Sequence, residues 1–346
     1  MLNPEYKLNP HILDEDMSQI EQVPIRKGFG LGLLFAGERD ERVVGLCADL
    51  TESTQMNLFK EKFPNRFIEV GVAEQNLASM ASGMAAMGKV PAITSYAMFS
   101  PGRNWEQIRT TIAYNNQKVI IAGSHAGISV GPDGGTHQAI EDMALMRLIP
   151  NMAVYSPCDV HEAKKVTEYA LSDIQKTPAY IRLAREKTPI VTTQDTPFDP
   201  LKAALFFIPS PEVLTKNNQK TQVGIIATGG LVANAMRAAH TLEKEGYAVK
   251  VLHVHGVKPA DTKAIIDLAS EAGALVTVEE HQIAGGLGGM VAEIVTRSMN
   301  TPVPIEYIGI NDVFGQSGTP LELIEYYGMG ITHIIEVAKK VIQRKG

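Results

Sequence analysis

The segment 124–138, Ser-His-Ala-Gly-Ile-Ser-Val-Gly-Pro-Asp-Gly-Gly-Thr-His-Gln, concentrates most of the reactive side chains of this sequence. It opens at the end of a predicted strand, and ligands of open α/β sheets sit outside the carboxyl ends of strands. Its glycines let the backbone approach a ligand closely. Its two histidines, His125 and His137, with Asp133 and Thr136, are groups that orient and deprotonate a polyhydroxylated substrate. Upstream, Glu74 opens an Ala- and Met-rich helical pattern, and Tyr96 and Phe99 lie in the aromatic stretch Thr94-Ser95-Tyr96-Ala97-Met98-Phe99.

The elements that position these residues alternate between strand and helix. Strands are predicted at 42–47, 118–123, 153–155 and 179–183, with a helix over 74–87. The stretch 187–218 is punctuated by five prolines and keeps little periodicity, apart from a short strand at Phe206 and Phe207. A second alternating unit follows, with strands at 222–228, 248–254, 274–279 and 304–310. Helices fall between them at 231–246, 261–269 and 286–298, and two more close the chain, around Leu321 and from Thr332. The fold class is therefore α/β, with two domains, each a mainly parallel sheet flanked by helices. The division reads as 1–195, a connection over 196–220, and 221–346.

The chain has 346 residues, 45% hydrophobic and 20% charged, with a net charge of −6 spread along its length. That balance speaks against nucleic acid or an anionic membrane as the main partner. No secretory leader or membrane span is expected, and a cytoplasmic location follows. The two cysteines, Cys47 and Cys158, show no CxxC spacing, so no disulfide framework and no metal site are expected. His253 and His255 alternate on a strand and face one side, but no carboxylate or cysteine is spaced to complete a metal set. Gly285-Gly286-Leu287-Gly288-Gly289 imitates a dinucleotide fingerprint. Val291 stands where close helix–strand packing wants Gly or Ala, and no acidic residue follows at the ribose-binding distance. A glycine turn that lets a helix start close to the sheet is the better reading.

Four ordered segments resemble the transketolase family over essentially the whole chain. They are Cys47-Ala48-Asp49-Leu50-Thr51-Glu52-Ser53, Gly71-Val72-Ala73-Glu74-Gln75-Asn76, Asp133-Gly134-Gly135-Thr136-His137-Gln138 and Arg182-Leu183-Ala184-Arg185. The resemblance implies a pyrimidine-binding domain followed by the family's C-terminal domain, and thiamine diphosphate as cofactor. By resemblance, Glu74 shares a proton with the cofactor's aminopyrimidine, Phe99 and Tyr96 flank its ring, and Asp49 lies near the cofactor and the subunit interface. His125, Asp133 and His137 are assigned to the donor sugar, with both histidines in proton transfer, and Arg26, Ser53 and Arg185 to the substrate phosphate. No GDG motif occurs, so the diphosphate and its Mg²⁺ (or Ca²⁺) are expected on a separate N-terminal subunit. The resemblance thus implies the C-terminal subunit of a split transketolase in a two-plus-two heterotetramer built on a homodimer, acting on sugar phosphates. A deoxyxylulose-phosphate synthase-like enzyme, a pyruvate-type dehydrogenase beta subunit and a non-catalytic homologue are the alternatives. Ala126-Gly127 and Gly135 depart from the family's usual residues, and Gln75 stands where transketolases often carry His. The C-terminal domain offers no chemical constellation and reads as a dimerisation and scaffold unit.

Overall fold

Ile120-Ile121-Ala122-Gly123-Ser124 carries no polar face until its last residue, so it must be covered on both sides. The computed structural model, which describes residues 1–16 and 20–345, places this run at the centre of a seven-stranded sheet. In chain order the strands of the first half are β1 (Gln22–Pro24), β2 (Val43–Cys47), β3 (Phe67–Glu69), β4 (Val90–Tyr96), β5 (Ile120–Ser124), β6 (Ala153–Tyr155), β7 (Ala179–Arg182) and β8 (Lys187–Pro189). The second half adds β9 (Ala204–Phe207), β10 (Val223–Ala227), β11 (Val249–His253), β12 (Gly256–Lys258), β13 (Leu275–Gln282) and β14 (Ile305–Ile310).

The first sheet runs β12-β6-β7-β5-β4-β2-β3, parallel except for β12. The second runs β14-β13-β10-β11-β9, parallel except for β9. A two-stranded ribbon pairs β1 with β8. Helices cover both sheets, so the α/β class with two mainly parallel sheets holds. No described helix is long and apolar enough to cross a membrane.

Besides the short β1, β8 and β12, two parallel strands of the first sheet were not anticipated. β4 is the longest strand of the first sheet, yet Pro91 and the polar pair Thr94 and Ser95 disguise it. Pro91 cannot donate to a ladder and argues against a central strand. β3 is only three residues long and leaves no period to read. The stretch 196–220 also holds more structure than a plain connection: β9 pairs antiparallel with β11. The chain start joins this edge, with Leu2 bridged to Phe207 and Asn3 N–H donating to the Phe206 carbonyl.

The halves are interlocked. β12 lies between two elements of the second unit but pairs with β6 of the first. One apolar cluster joins Met143, Met146 and Val154 to Leu252, Val257 and Leu287. The helix Ile25–Arg39 lies very close to the helix Val160–Leu171. A Cβ on Gly28 would meet the Val160 carbonyl at 2.2 Å, and one on Gly32 would meet Thr167 at 2.7 Å. That contact seats Arg26 at the carboxyl ends of the strands.

Candidate functional site

β5 ends at Ser124, and the next residue, His125, is held at φ +56° while 2% exposed. Few non-glycine residues adopt this conformation, and it persists only where the surroundings enforce it. The enforcement is visible. Ala126 N–H donates to the Leu183 carbonyl and Gly127 N–H to the Ala139 carbonyl. The imidazole lies against the Tyr96 ring, with centroids 3.7 Å apart.

Arg26 Nη1 approaches His125 Nε2 at 3.1 Å, and Ser124 Oγ lies 2.9 Å from His125 Nδ1. A guanidinium only donates, so Nε2 accepts and Nδ1 carries the hydrogen towards Ser124. Burial, reinforced by Arg26 and Arg185, pushes the His125 pKa down to about 3. His125 is therefore a neutral imidazole with a defined tautomer. Arg26 Nε is buried without a hydrogen-bond partner, so one donor of the guanidinium remains unused. Arg185 bonds the Val130 carbonyl and faces Asp133 at 3.9 Å.

On the other side of Tyr96 the contacts continue. Phe99 stacks at 5.9 Å from Tyr96 and meets the half-buried His137 edge-on at 5.4 Å. Arg103 lays its guanidinium carbon 4.1 Å above the Phe99 ring and donates to Glu74 Oε2 at 3.2 Å. Glu74 is buried at the first position of the helix Glu74–Ala86 and accepts from Ser95 Oγ at 3.4 Å. The apolar, Ala- and Met-rich setting expected for this carboxylate thus describes only part of its surroundings.

The structure therefore assembles Glu74, Tyr96, Phe99, His125, His137, Arg26, Arg185 and Asp133 into one contiguous strip. Asp49 and Ser53 stand apart from these contacts. Asp49 is exposed at φ +59°, its N–H donating to Glu69 Oε1 at 2.7 Å. Ser53 lies half-buried in the turn after β2. Arg103, Ser95 and Glu69 escaped the sequence reading. Only Arg103 left a trace, as a cation four residues after Phe99.

The C-terminal domain does more than scaffold. Gln138 donates to the Ile128 carbonyl and, across the domain boundary, to that of Gln316 at 3.0 Å. Glu280 Oε1 accepts from Ser129 N–H at 2.7 Å. A Cβ on Gly127 would fall 2.2 Å from that same oxygen. Buried Arg182 ties these parts together, bonding both Asp142 oxygens and the Glu280 carbonyl. The loop carrying Asp133 and His137 is thus clamped by the second domain.

Two readings of the second domain acquire a physical account. The turn 285–289 receives no nucleotide, because the buried Glu279 carboxylate accepts the N–H groups of Leu287 and Gly288, both at 2.7 Å. A Cβ on Gly288 would meet the Tyr307 ring at 2.6 Å, so the helix does begin tight against the sheet. The expectation that nothing completes the histidine pair is corrected. Glu162 and Cys158 of the first domain reach His253, and Glu162 also faces His255.

Residues 21–191 match the transketolase pyrimidine-binding domain, and residues 212–334 match the transketolase C-terminal domain. The chain belongs to the transketolase family. A relative from Methanocaldococcus jannaschii, whose name refers to a transketolase C-terminal section, is 41% identical over 305 residues, covering 88% of this chain and 92% of the relative. A 6-deoxy-6-sulfo-D-fructose transketolase subunit from a Clostridium species is 36% identical over 313 residues, covering 90% of this chain and 92% of its own. The solved structure of a split gene transketolase, an inactive β4 tetramer, superposes with a TM-score of 0.83 at 37% identity. It covers 94% of this chain and 100% of that one. The strip from Glu74 to Arg185 thus falls within the part matched by the pyrimidine-binding domain, and the part matched by the C-terminal domain holds its loop.

Proposed function

We propose that this chain is the C-terminal subunit of a split transketolase, moving a two-carbon ketol unit from a ketose phosphate to an aldose phosphate with thiamine diphosphate as cofactor. The observation that carries this reading is the place held by the Arg103 guanidinium. It is planar, cationic and rich in N–H groups, and it lies flat on Phe99 while donating to Glu74. An aminopyrimidine needs the same two contacts, a ring face for stacking and a carboxylate for its ring nitrogen, so the residues present fit the cofactor. Its occupation of this place requires the exposed Arg103 side chain to swing aside.

When bound, thiamine diphosphate supplies a carbon nucleophile able to cleave the bond beside a ketose carbonyl. The protein's own residues do the rest. Glu74 holds a proton at the pyrimidine ring nitrogen. Phe99 and Tyr96 fix the plane of that ring. His125, neutral and oriented by Ser124 and Arg26, is assigned to a sugar hydroxyl, which must share Nε2 with Arg26. His137, half-buried at the rim, is assigned to giving and taking a proton. Arg26, with its unused Nε donor, and Arg185 present multidentate donors to a phosphate. Asp133 and Ser53 are assigned to the substrate and Asp49 to the cofactor edge by family position alone.

The diphosphate and its Mg²⁺ (or Ca²⁺) are assigned to an N-terminal subunit bearing a GDG motif, in a two-plus-two heterotetramer. Support comes from the naming of the relatives as a section, a subunit and a split gene product. The test is ketol transfer from xylulose 5-phosphate to ribose 5-phosphate with thiamine diphosphate and Mg²⁺, using this chain alone and with the GDG-bearing partner. Activity in the mixture only is the expected result. Silence of the assembled pair with this donor would overturn the reading.

A further inference from the structure

Where the two domains meet, β11 and the residue pair after it turn His253 and His255 towards the helix Val160–Leu171 of the first domain. His253 Nε2 lies 2.7 Å from Glu162 Oε2, and His255 Nδ1 lies 3.2 Å from Glu162 Oε1. Cys158, Glu162 and His253 each present a ligand atom within 4.8 Å of the others. Cys158 is 1% exposed, Glu162 4%, His253 0% and His255 2%.

The outer side of each ring decides what the inner side can be. His253 Nδ1 faces the Ala227 carbonyl at 3.3 Å, and His255 Nε2 faces the Asp199 carbonyl at 3.0 Å. A carbonyl only accepts, so these two nitrogens carry the hydrogens. The Glu162 carboxylate also only accepts, from Cys158 N–H at 2.7 Å as well, so without an ion a proton lies between it and His253 Nε2, where a bound cation would take that proton's place. His255 Nδ1 makes no hydrogen bond despite its distance from the carboxylate. One proton held between a histidine and the Glu162 carboxylate leaves the cluster neutral, and a dication with that carboxylate and a Cys158 thiolate also sums to zero. Histidines that bind metals also donate their other N–H to a carbonyl or carboxylate in this way.

We propose that Cys158, Glu162 and His253 bind a borderline-soft divalent ion of the Zn²⁺ type, which clips the two domains together, with His255 beside Glu162. Sulfur, imidazole and carboxylate donors match that ion, with the fourth position open towards an adjoining cavity. The first domain contributes the thiolate and carboxylate, and the second contributes the imidazole. Binding displaces to solvent both the thiol proton and the proton held between Glu162 and His253 Nε2. A cavity of about 280 Å³, lined by Glu162, His255, Lys165, Phe198 and Asp199, reaches the cluster and gives the ion its route. None of the residues assigned to the transketolase site takes part, so this proposal stands or falls separately from that one.

The test uses the full-length chain, stripped with a chelator and titrated with Co²⁺ and then Zn²⁺. The expected result is one Co²⁺ per chain, with the intense visible bands of a tetrahedral site and a near-ultraviolet thiolate-to-cobalt band, both erased by Zn²⁺. Cys47→Ser should keep that band and Cys158→Ser should lose it. His253→Gln should weaken Zn²⁺ binding at least about tenfold, since even outer-shell changes cost that much. Should the buried variants fail to fold, the unaltered chain and Cys47→Ser still decide the matter, because only two cysteines can give the band. A folded chain that takes up no Co²⁺, or whose band vanishes with Cys47 instead, overturns the proposal and leaves a hydrogen-bonded network of the same four residues.

Discussion

Arg26 donates through Nη1 to Nε2 of His125 across 3.1 Å, and the permanent charge of the donor dictates the tautomer of the acceptor. The first consequence is a pH dependence. The folded pKa of His125, about 3, lies below its ordinary value of 6.5. The unfolded chain therefore binds the extra proton first as pH falls. Stability from this group is complete above about pH 6.5 and is lost progressively towards about pH 3. Between about pH 7 and about pH 5 the loss attributable to His125 is about 2 kcal/mol. Denaturant midpoints at the two pH values, compared with those of His125→Gln, measure it; an equal slope in both proteins would refute the assignment.

Removing the carboxylate at the helix start should separate chemistry from fold. Glu74→Gln keeps the Ser95 and Arg103 neighbourhood but cannot exchange a proton with the cofactor ring. A loss of about 10²–10⁴ in turnover is expected, the range for one acid–base group. Steady-state rates of the assembled enzyme, with circular dichroism as the control for folding, read it out. Turnover near that of the parent would remove Glu74 from the reaction.

Substrate charge should be read by the two arginines beside His125. Arg185→Met deletes charge-assisted bonds to a phosphate, each worth about 1.5–3 kcal/mol. KM for a phosphorylated aldose should rise about tenfold or more, whereas an unphosphorylated aldose should be far less affected. The ratio of kcat/KM for the two acceptors is the measurement. An unchanged ratio would move the phosphate elsewhere.

Gly127 offers a test of the clamp. Its φ is +90°, and a Cβ would sit 2.2 Å from Glu280 Oε1. Gly127→Ala should destabilise the chain by about 2 kcal/mol, from backbone strain alone at the lower end. It should also raise KM, because the loop bearing Asp133 and His137 must shift. A melting temperature equal to that of the parent would show that the second domain does not hold this loop.

The sequence by itself determined the two alternating units and most of their strands, because β5, β10, β11, β13 and β14 with their helices are written in apolar runs and helical periods a few residues long. It also singled out His125 and His137 by type and local spacing, and Glu74 and Phe99 through the resemblance to the transketolase family. It could not see β4 as a strand, since Pro91 and two buried hydroxyls obscure its period. Arg103 remained invisible as the partner of Glu74, because the two lie 29 positions apart, with a helix and β4 between them. Only the tertiary structure decided that Gln138 reaches Gln316, that Glu279 fills its own glycine turn, and that Glu162 and Cys158 meet His253. Those contacts join residues as far as 178 positions apart. Local sequence pattern encodes burial and backbone preference; which distant side chains share a space is set by how the two sheets pack.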